Sequence, residues 1–353
     1  MDPVKYLKSA DLMSWLEELA RENKVFAPRY EGDAVIFAPF DPKQEISIKH
    51  AATMPPKKTV FPQSEKLVDF TYSKDPENLS RILIEAKEIL PKGTTVVFGS
   101  RPCDVRGFTM FDRVYLAEKT TDVYYKARRE NTSFITLACE KPETTCFCHW
   151  VDSSPSDASG SDVLATPIED GYVLEPFSEK GQKLLTSSLL ENGERWILEV
   201  KDVHENAAGF LANAPDLSQA PQKLLDVFDN MEFWENAAAK CLSCGACTYL
   251  CPSCYCFNIT DETTGMKGTR FRSWDNCMSA QFTMEASGHN PRPTKAHRLK
   301  NRVGHKFSYY PAIHDGVISC CGCGRCIKSC PVGIDIREIV QEAINHEPAI
   351  GKE

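Results

Sequence analysis

No run of apolar residues in this chain approaches the roughly 20 needed to cross a bilayer. The opening segment, MDPVKYLKSADLMSWLEELAREN, is a charged amphipathic helix rather than a secretory leader, so the chain is expected to stay in the cytoplasm. Nucleotide signatures are missing as well. No G-x-G-x-x-G follows a predicted strand and no G-x4-G-K-[ST] occurs, so no NAD, flavin or nucleoside-triphosphate site is expected here. An excess of basic charge is also absent: 41 Lys and Arg against 49 Asp and Glu leave a net charge of −8, which argues against non-specific binding to nucleic acid. Nothing resembles a nickel-iron ligand set, and no cysteine lies in a neighbourhood suited to covalent catalysis. Substrate chemistry is therefore expected on another chain.

Cysteine is what the sequence has in excess. Sixteen thiols cannot persist as disulfides in a reducing compartment, which leaves metal or cluster ligation. At 353 residues, 42% of them apolar, the chain is long enough to bury more than one core. The first part reads as an α/β domain, residues 1–217. An amphipathic helix over 11–23 precedes a hairpin, VFAPRYEGDAVIFAPF. A helix is expected over about 76–90, then the strand TTVVFG, a helix over about 105–117 and the strand SFITLAC. Residues 152–162, polar and rich in Ser and Gly, read as a surface loop, and three helical stretches follow, the last over about 218–240. Residues 218–353 are expected to form an α-helix-rich module with a bacterial-type two-cluster ferredoxin fold, carrying a long insertion at 257–319.

Two motifs specify that module. Cys241-x2-Cys244-x2-Cys247-x3-Cys251-Pro252 and Cys320-x2-Cys323-x2-Cys326-x3-Cys330-Pro331 both match the bacterial ferredoxin run in full. Three thiolates on a tight loop wrap three corners of a cubane, while the fourth starts a helix and points to the other cluster. Cluster 1 is thus expected on Cys241, Cys244, Cys247 and Cys330, and cluster 2 on Cys320, Cys323, Cys326 and Cys251. A pair of zinc sites is the competing assignment, since C-x2-C pairs also suit zinc. Arg325 and Lys328 lie inside the second motif, and the first has no base between its ligands. Cluster 2 is therefore expected to have the higher potential.

Eight cysteines remain. Cys103, Cys139, Cys146 and Cys148 are the number a third 4Fe-4S cluster needs, although Cys-x-Cys is an unusual cluster spacing. Buried structural thiols are the alternative. Cys254, Cys256 and Cys277 are expected to pack in the core or beside a cluster, where a thiol tunes its potential, with ligation of a further centre as the alternative. Cys321 is expected to point away from the second loop. Inside the insertion, residues 286–314 hold Arg292, Lys295, Arg298, Lys300, Arg302 and Lys306, with no Asp or Glu. That block reads equally as a solvated helix face, a docking site for an acidic partner, or a shield for the charge of a reduced cluster.

The strings RPCDVRGF, YYKARREN, CFC, CLSCGACTYLCPSCYCF, SGHNPRPTKAHR and CCGCGRCIKSCPVGIDIRE resemble those of the beta (iron-sulfur) subunit of soluble sulfhydrogenases and, more distantly, those of the corresponding iron-sulfur chain of anaerobic sulfite reductase. The resemblance runs from about residue 60 to 340. It implies an iron-sulfur subunit that relays electrons between a flavin and NAD(P)-binding partner and a catalytic partner of hydrogenase, sulfite reductase or heterodisulfide reductase type. Two other roles stay open: an enzyme with an open iron in the N-terminal cysteine set, and a scaffold merely braced by clusters.

Overall fold

In a computed structural model, residues 4–347 are described. The chain begins with β1 (Lys5–Lys8), α1 (Leu12–Ala20), β2 (Lys24–Glu31), β3 (Ala34–Pro39), β4 (Ser64–Lys74) and β5 (Ile82–Glu88). It continues through β6 (Thr95–Ser100), α2 (Pro102–Tyr115), α3 (Val123–Glu130), β7 (Thr132–Leu137), β8 (Val163–Ile168) and β9 (Gly171–Pro176). Then come α4 (Glu179–Leu184), β10 (Glu191–Asn192), α5 (Ile197–Gly209), α6 (Ala220–Asp226), α7 (Met231–Ala237) and α8 (Ala246–Tyr249). The last elements are β11 (Phe257–Thr264), β12 (Lys267–Trp274), α9 (Lys295–Gly304), α10 (Tyr310–Ile313), α11 (Arg325–Lys328) and α12 (Ile336–Asn345). Among the described residues no helix is long and apolar enough to cross a membrane.

Eight strands form one sheet in the order β10-β1-β9-β8-β7-β6-β2-β3. Its centre is parallel, β2 with β6, β6 with β7 and β7 with β8. The near-continuous apolar runs TVVFGS and TSFITL fit strands covered on both faces. Because β6 and β7 are parallel neighbours, their carboxyl ends open on the same edge. Cys103 follows the first and Cys139 the second.

Residues 76–90 are not a helix. Glu- and Lys-rich ILIEAKE supports a helix by propensity, but every residue of β5 is exposed, so no core face holds one there. The segment instead pairs antiparallel with β4, from Lys74 opposite Ile82 to Val68 opposite Glu88. Its period-2 run Ile82, Ile84, Ala86 was the strand signal. The helix expected over 218–240 is two, α6 and α7. They are broken where the Asn230 side chain accepts the Phe233 N–H at 3.1 Å and caps α7.

The expected insertion does not stand apart from the N-terminal half. Its hairpin, β11 and β12, pairs with β4 from Lys267 opposite Thr71 to Ser273 opposite Ser64, giving a second sheet ordered β11-β12-β4-β5. The core of the C-terminal helices, with Leu224, Trp234, Val303, Phe307 and Val340, takes in Phe147 and Val151 from the loop after β7. Gly107 on α2 touches the first ferredoxin loop so closely that a Cβ there would lie 2.7 Å from the backbone of Pro252.

Gly107→Ala is expected to destabilise the folded protein by about 1–3 kcal/mol through overpacking. Gly209→Ala, with nothing within 4 Å of its Cβ, is the matched control and should leave unfolding nearly unchanged. Denaturant melts of both variants decide this. Equal midpoints would mean that α2 and the loop do not need their close contact.

Candidate iron-sulfur centres

The two cysteine motifs fold alike. Ser243 and Gly322 precede the second thiol of their loops at φ 55° and 60°, and Gly245 and Gly324 follow it at 77° and 69°. A short helix, α8 or α11, starts directly after each of those glycines. Ser243 is a non-glycine in the left-handed region, which is uncommon enough to mark a geometrically constrained loop. Backbone N–H groups aim at the sulfurs: Ser243 to Cys241 Sγ at 3.3 Å, Gly322 to Cys320 Sγ at 3.5 Å and Ile334 to Cys330 Sγ at 3.3 Å.

The fourth thiols cross over. Cys241, Cys244, Cys247 and Cys330 line one cavity, and Cys320, Cys323, Cys326 and Cys251 line a second that abuts it, with Cys326 and Arg302 lining both. Cys244 is exposed, whereas Cys251 and Cys320 are buried, so the first cavity is nearer the surface. Cys321, expected to point away from the second loop, is buried and borders the second cavity. Burial pushes the Cys320 thiol up to about 11 and that of Cys326 to about 12. Ligation would have to displace those protons.

A 4Fe-4S cluster fits both cavities by their donor sets and by orphaned buried donors. Arg302 Nε and Arg325 Nη2 find no acceptor among the described residues, and both guanidinium groups face thiols. Among the described residues no three His, Cys, Asp or Glu side chains are grouped to hold a single metal ion. The thiols surround volumes rather than a point, an arrangement that suits a cubane better than zinc.

The basic block is not a solvated face. Arg298, Arg302 and Lys306, four residues apart, fall on one side of α9 and the π-helical turn His305–Tyr309 that continues it, and all three are buried. Arg302 donates to Cys247 O at 2.7 Å, Lys306 to Ser253 Oγ at 2.9 Å and Ser319 O at 3.0 Å, and Arg298 to Ser243 Oγ at 3.2 Å. Lys295 reaches Ala239 O at 2.7 Å. Inside the second motif, the two bases are offset by acids. Arg325 pairs with buried Asp104 at 2.7 Å, and Lys328 with Glu143 at 2.7 Å.

Cys103, Cys139, Cys146 and Cys148 come together at the carboxyl edge of the large sheet. Burial pushes all four thiols above their ordinary range, and the nearness of Cys139 adds to the shift of Cys103, Cys146 and Cys148. Their loop is fixed to the second motif: Phe147 N–H donates to Gly322 O at 2.7 Å, and a Cβ on Gly322 would lie 2.4 Å from Cys148 Cα. Cys146 and Cys323 line a common cavity with Arg325, and Arg325 Nη1 is 4.0 Å from Cys103 Sγ. On the far side, Cys139 and Cys146 border an open cavity of about 640 Å³ with Lys49 and Arg101.

Of the remaining thiols, Cys254 lies beside Cys251, whose sulfur is 3.4 Å from Ser253 Oγ, and Cys256 and Cys277 flank the base of the β11–β12 hairpin, where Asp275 N–H donates to Cys256 O at 3.0 Å. Beside them Lys57, 3% exposed, donates to Cys254 O at 2.9 Å and lies 4.1 Å over the Trp274 ring. Nothing in the local sequences TMPPKKTVF and RPCDVRGF marks Lys57 or Asp104 as partners of this region. The four-residue spacing of Arg298, Arg302 and Lys306 was the one signal available for a buried basic stripe.

Residues 240–334 match the family described as 4Fe-4S dicluster domain. These residues are a 4Fe-4S dicluster domain. Along nearly its whole length the chain is also similar to sulfhydrogenase 2 subunit beta of Pyrococcus furiosus, at 27% identity over 348 residues, covering 96% of this chain and 98% of the relative. No solved structure matches. The resemblance to sulfhydrogenase beta subunits therefore extends beyond the dicluster domain into the α/β sheet, whose cysteine loop packs against it.

Replacing Arg325 by Met strands the Asp104 carboxylate in the interior and should destabilise the protein by about 3–5 kcal/mol, as for other broken buried pairs. The double variant Arg325→Met with Asp104→Asn should recover a large part of that loss. Chemical denaturation of wild type, single and double variants tests it; additive losses would show that the pair is not energetically coupled.

Proposed function

We propose that this chain is the electron-transfer component of an oxidoreductase complex, passing single electrons between a flavin and NAD(P)-binding partner and a catalytic partner. The observation that carries the reading is the crossover. Cys330 joins the first motif's three thiols and Cys251 joins the second's, as two adjacent 4Fe-4S clusters require. Bound there, such clusters supply reversible one-electron storage. The chain's own residues set their spacing, aim backbone N–H groups at the sulfurs and surround them with buried cations. The name of the Pyrococcus relative, a beta subunit, supports a hetero-oligomeric setting.

A third cluster on Cys103, Cys139, Cys146 and Cys148 extends the path. The three thiol sets then adjoin one another, the first and second cavities sharing Cys326 and Arg302, and Cys323 of the second set lining a common cavity with Cys146 of the third. The open cavity beside Cys139 and Cys146 favours one other reading, reduction of a small substrate at an open iron of this set; turnover by the isolated chain with an artificial donor would support it. The second-motif cluster has the higher potential in our reading. The charge responsible is Lys306 beside Cys251 and Cys320, because Arg325 and Lys328 are offset by Asp104 and Glu143.

Anaerobic iron and acid-labile sulfide analysis, with EPR of the dithionite-reduced chain, tests the cofactor content. About twelve irons would establish three clusters, about eight would make the N-terminal thiols structural, and fewer would overturn the relay. Cys330→Ser should alter the EPR signal of the cluster otherwise held by Cys241, Cys244 and Cys247, as identified by Cys244→Ser. An effect matching Cys323→Ser instead would reject the crossover.

A further inference from the structure

Resting on the two-cluster reading, we infer that Arg302 is a positioning residue shared by both clusters, whose single buried charge sets their two potentials together. Arg302 borders both cavities and is 4% exposed. Its Nη2 is tied to Cys247 O at 2.7 Å, on the first loop, which fixes the guanidinium in place. Its Nε–H finds no acceptor among the described residues. A buried donor left without a partner is costly, about 1–3 kcal/mol, so an N–H in this position implies an acceptor. The acceptor class that the surroundings supply is sulfur, from cluster sulfide or thiolate.

The charge of Arg302 is held where an unpaired cation would otherwise be unfavourable. A guanidinium keeps its proton even when buried, and the acidic groups bordering Arg302 in the two cavities are cysteines, with a backbone carbonyl as its hydrogen-bond acceptor and, among the described residues, no carboxylate to cancel its charge. Arg302 thus differs from Arg325, whose charge is cancelled by Asp104, and from Lys328, which is exposed and paired with Glu143. It differs also from Lys306, which borders the second cavity alone. Reduction adds a negative charge to a four-thiolate cubane, and a fixed cation at low local dielectric favours that state. Placed between two cubanes, one cation lowers the cost of reducing either and partly screens the repulsion between two reduced neighbours.

The experiment is potentiometric EPR on the whole chain, loaded anaerobically, comparing wild type with Arg302→Met, Arg302→Lys, Lys306→Met and Lys328→Met. Iron content is measured first. Wild type with fewer than about eight irons sinks the two-cluster reading itself, whereas a loaded protein tests the inference alone. Arg302→Met should lower both midpoints, each reduction equilibrium falling at least tenfold, 59 mV for one electron. Arg302→Lys should restore part of both shifts by returning charge without the Nε–H. Lys306→Met should lower only the cluster of the second motif, and Lys328→Met neither. Movement of one midpoint only, or of neither, in a fully loaded Arg302→Met or Arg302→Lys protein would overturn the assignment. If Arg302→Met does not hold its iron, the decision passes to Arg302→Lys, in which both midpoints must still fall.

Discussion

The rest of the structure depends on the burial of closely spaced thiols in an interior of low dielectric. Thiols gathered there resist deprotonation, chiefly because burial disfavours the thiolate and further because neighbouring thiolates would repel it, as the upward shifts of Cys320 and Cys326 indicate. A protein that keeps such a group must bring cations inside with it and satisfy their remaining donors. Here the cations are Arg298, Arg302 and Lys306 from one helical stripe, Lys57 from a short turn before β4, and Arg325 from the second motif itself. The acceptors that hold them are largely backbone carbonyls, such as Cys247 O, Cys254 O and Ser319 O, rather than carboxylates. That choice leaves much of their positive charge available to the sulfur.

The same constraint explains why the two halves of the chain are not separate bodies joined by a linker. Lys57 comes from the N-terminal half and bonds carbonyls just after the first motif; Asp104 comes from α2 and pairs with Arg325 in the second. The β4–β12 pairing and the contact of Gly322 with Cys148 complete the union. A dicluster domain of residues 240–334 alone would lack Lys57 and Asp104, and would expose the backbone that Gly107 and Phe147 cover. The long link between motifs is thus the part of the domain that carries its cations and its sheet contact with the N-terminal half.

Much of the fold was legible where local signals agree. The hairpin of β2 and β3, the buried strands β6 and β7 and the final helix α12 each combine propensity with a clear period. The signal failed where local and tertiary preferences diverge. In ILIEAKE, good helix formers lie on an exposed edge strand that only the register with β4 holds in place.

What the sequence by itself determined is the chemistry: four-cysteine runs repeated with proline after each, a spacing that suits a cubane and that implies exchange of the fourth thiol between sites. That information is local, because the three near ligands and the helix start lie within a dozen residues of one another. Only the tertiary structure decided which charges face the sulfurs. Arg325 reads as a free cation in the second motif, yet Asp104, more than two hundred residues away, lies against it, while Arg302 belongs to a block that reads equally as solvated or functional, and only its place at the border of both cavities separates those readings. Electrostatic influence depends on distance and burial, and neither can be read from position along a chain.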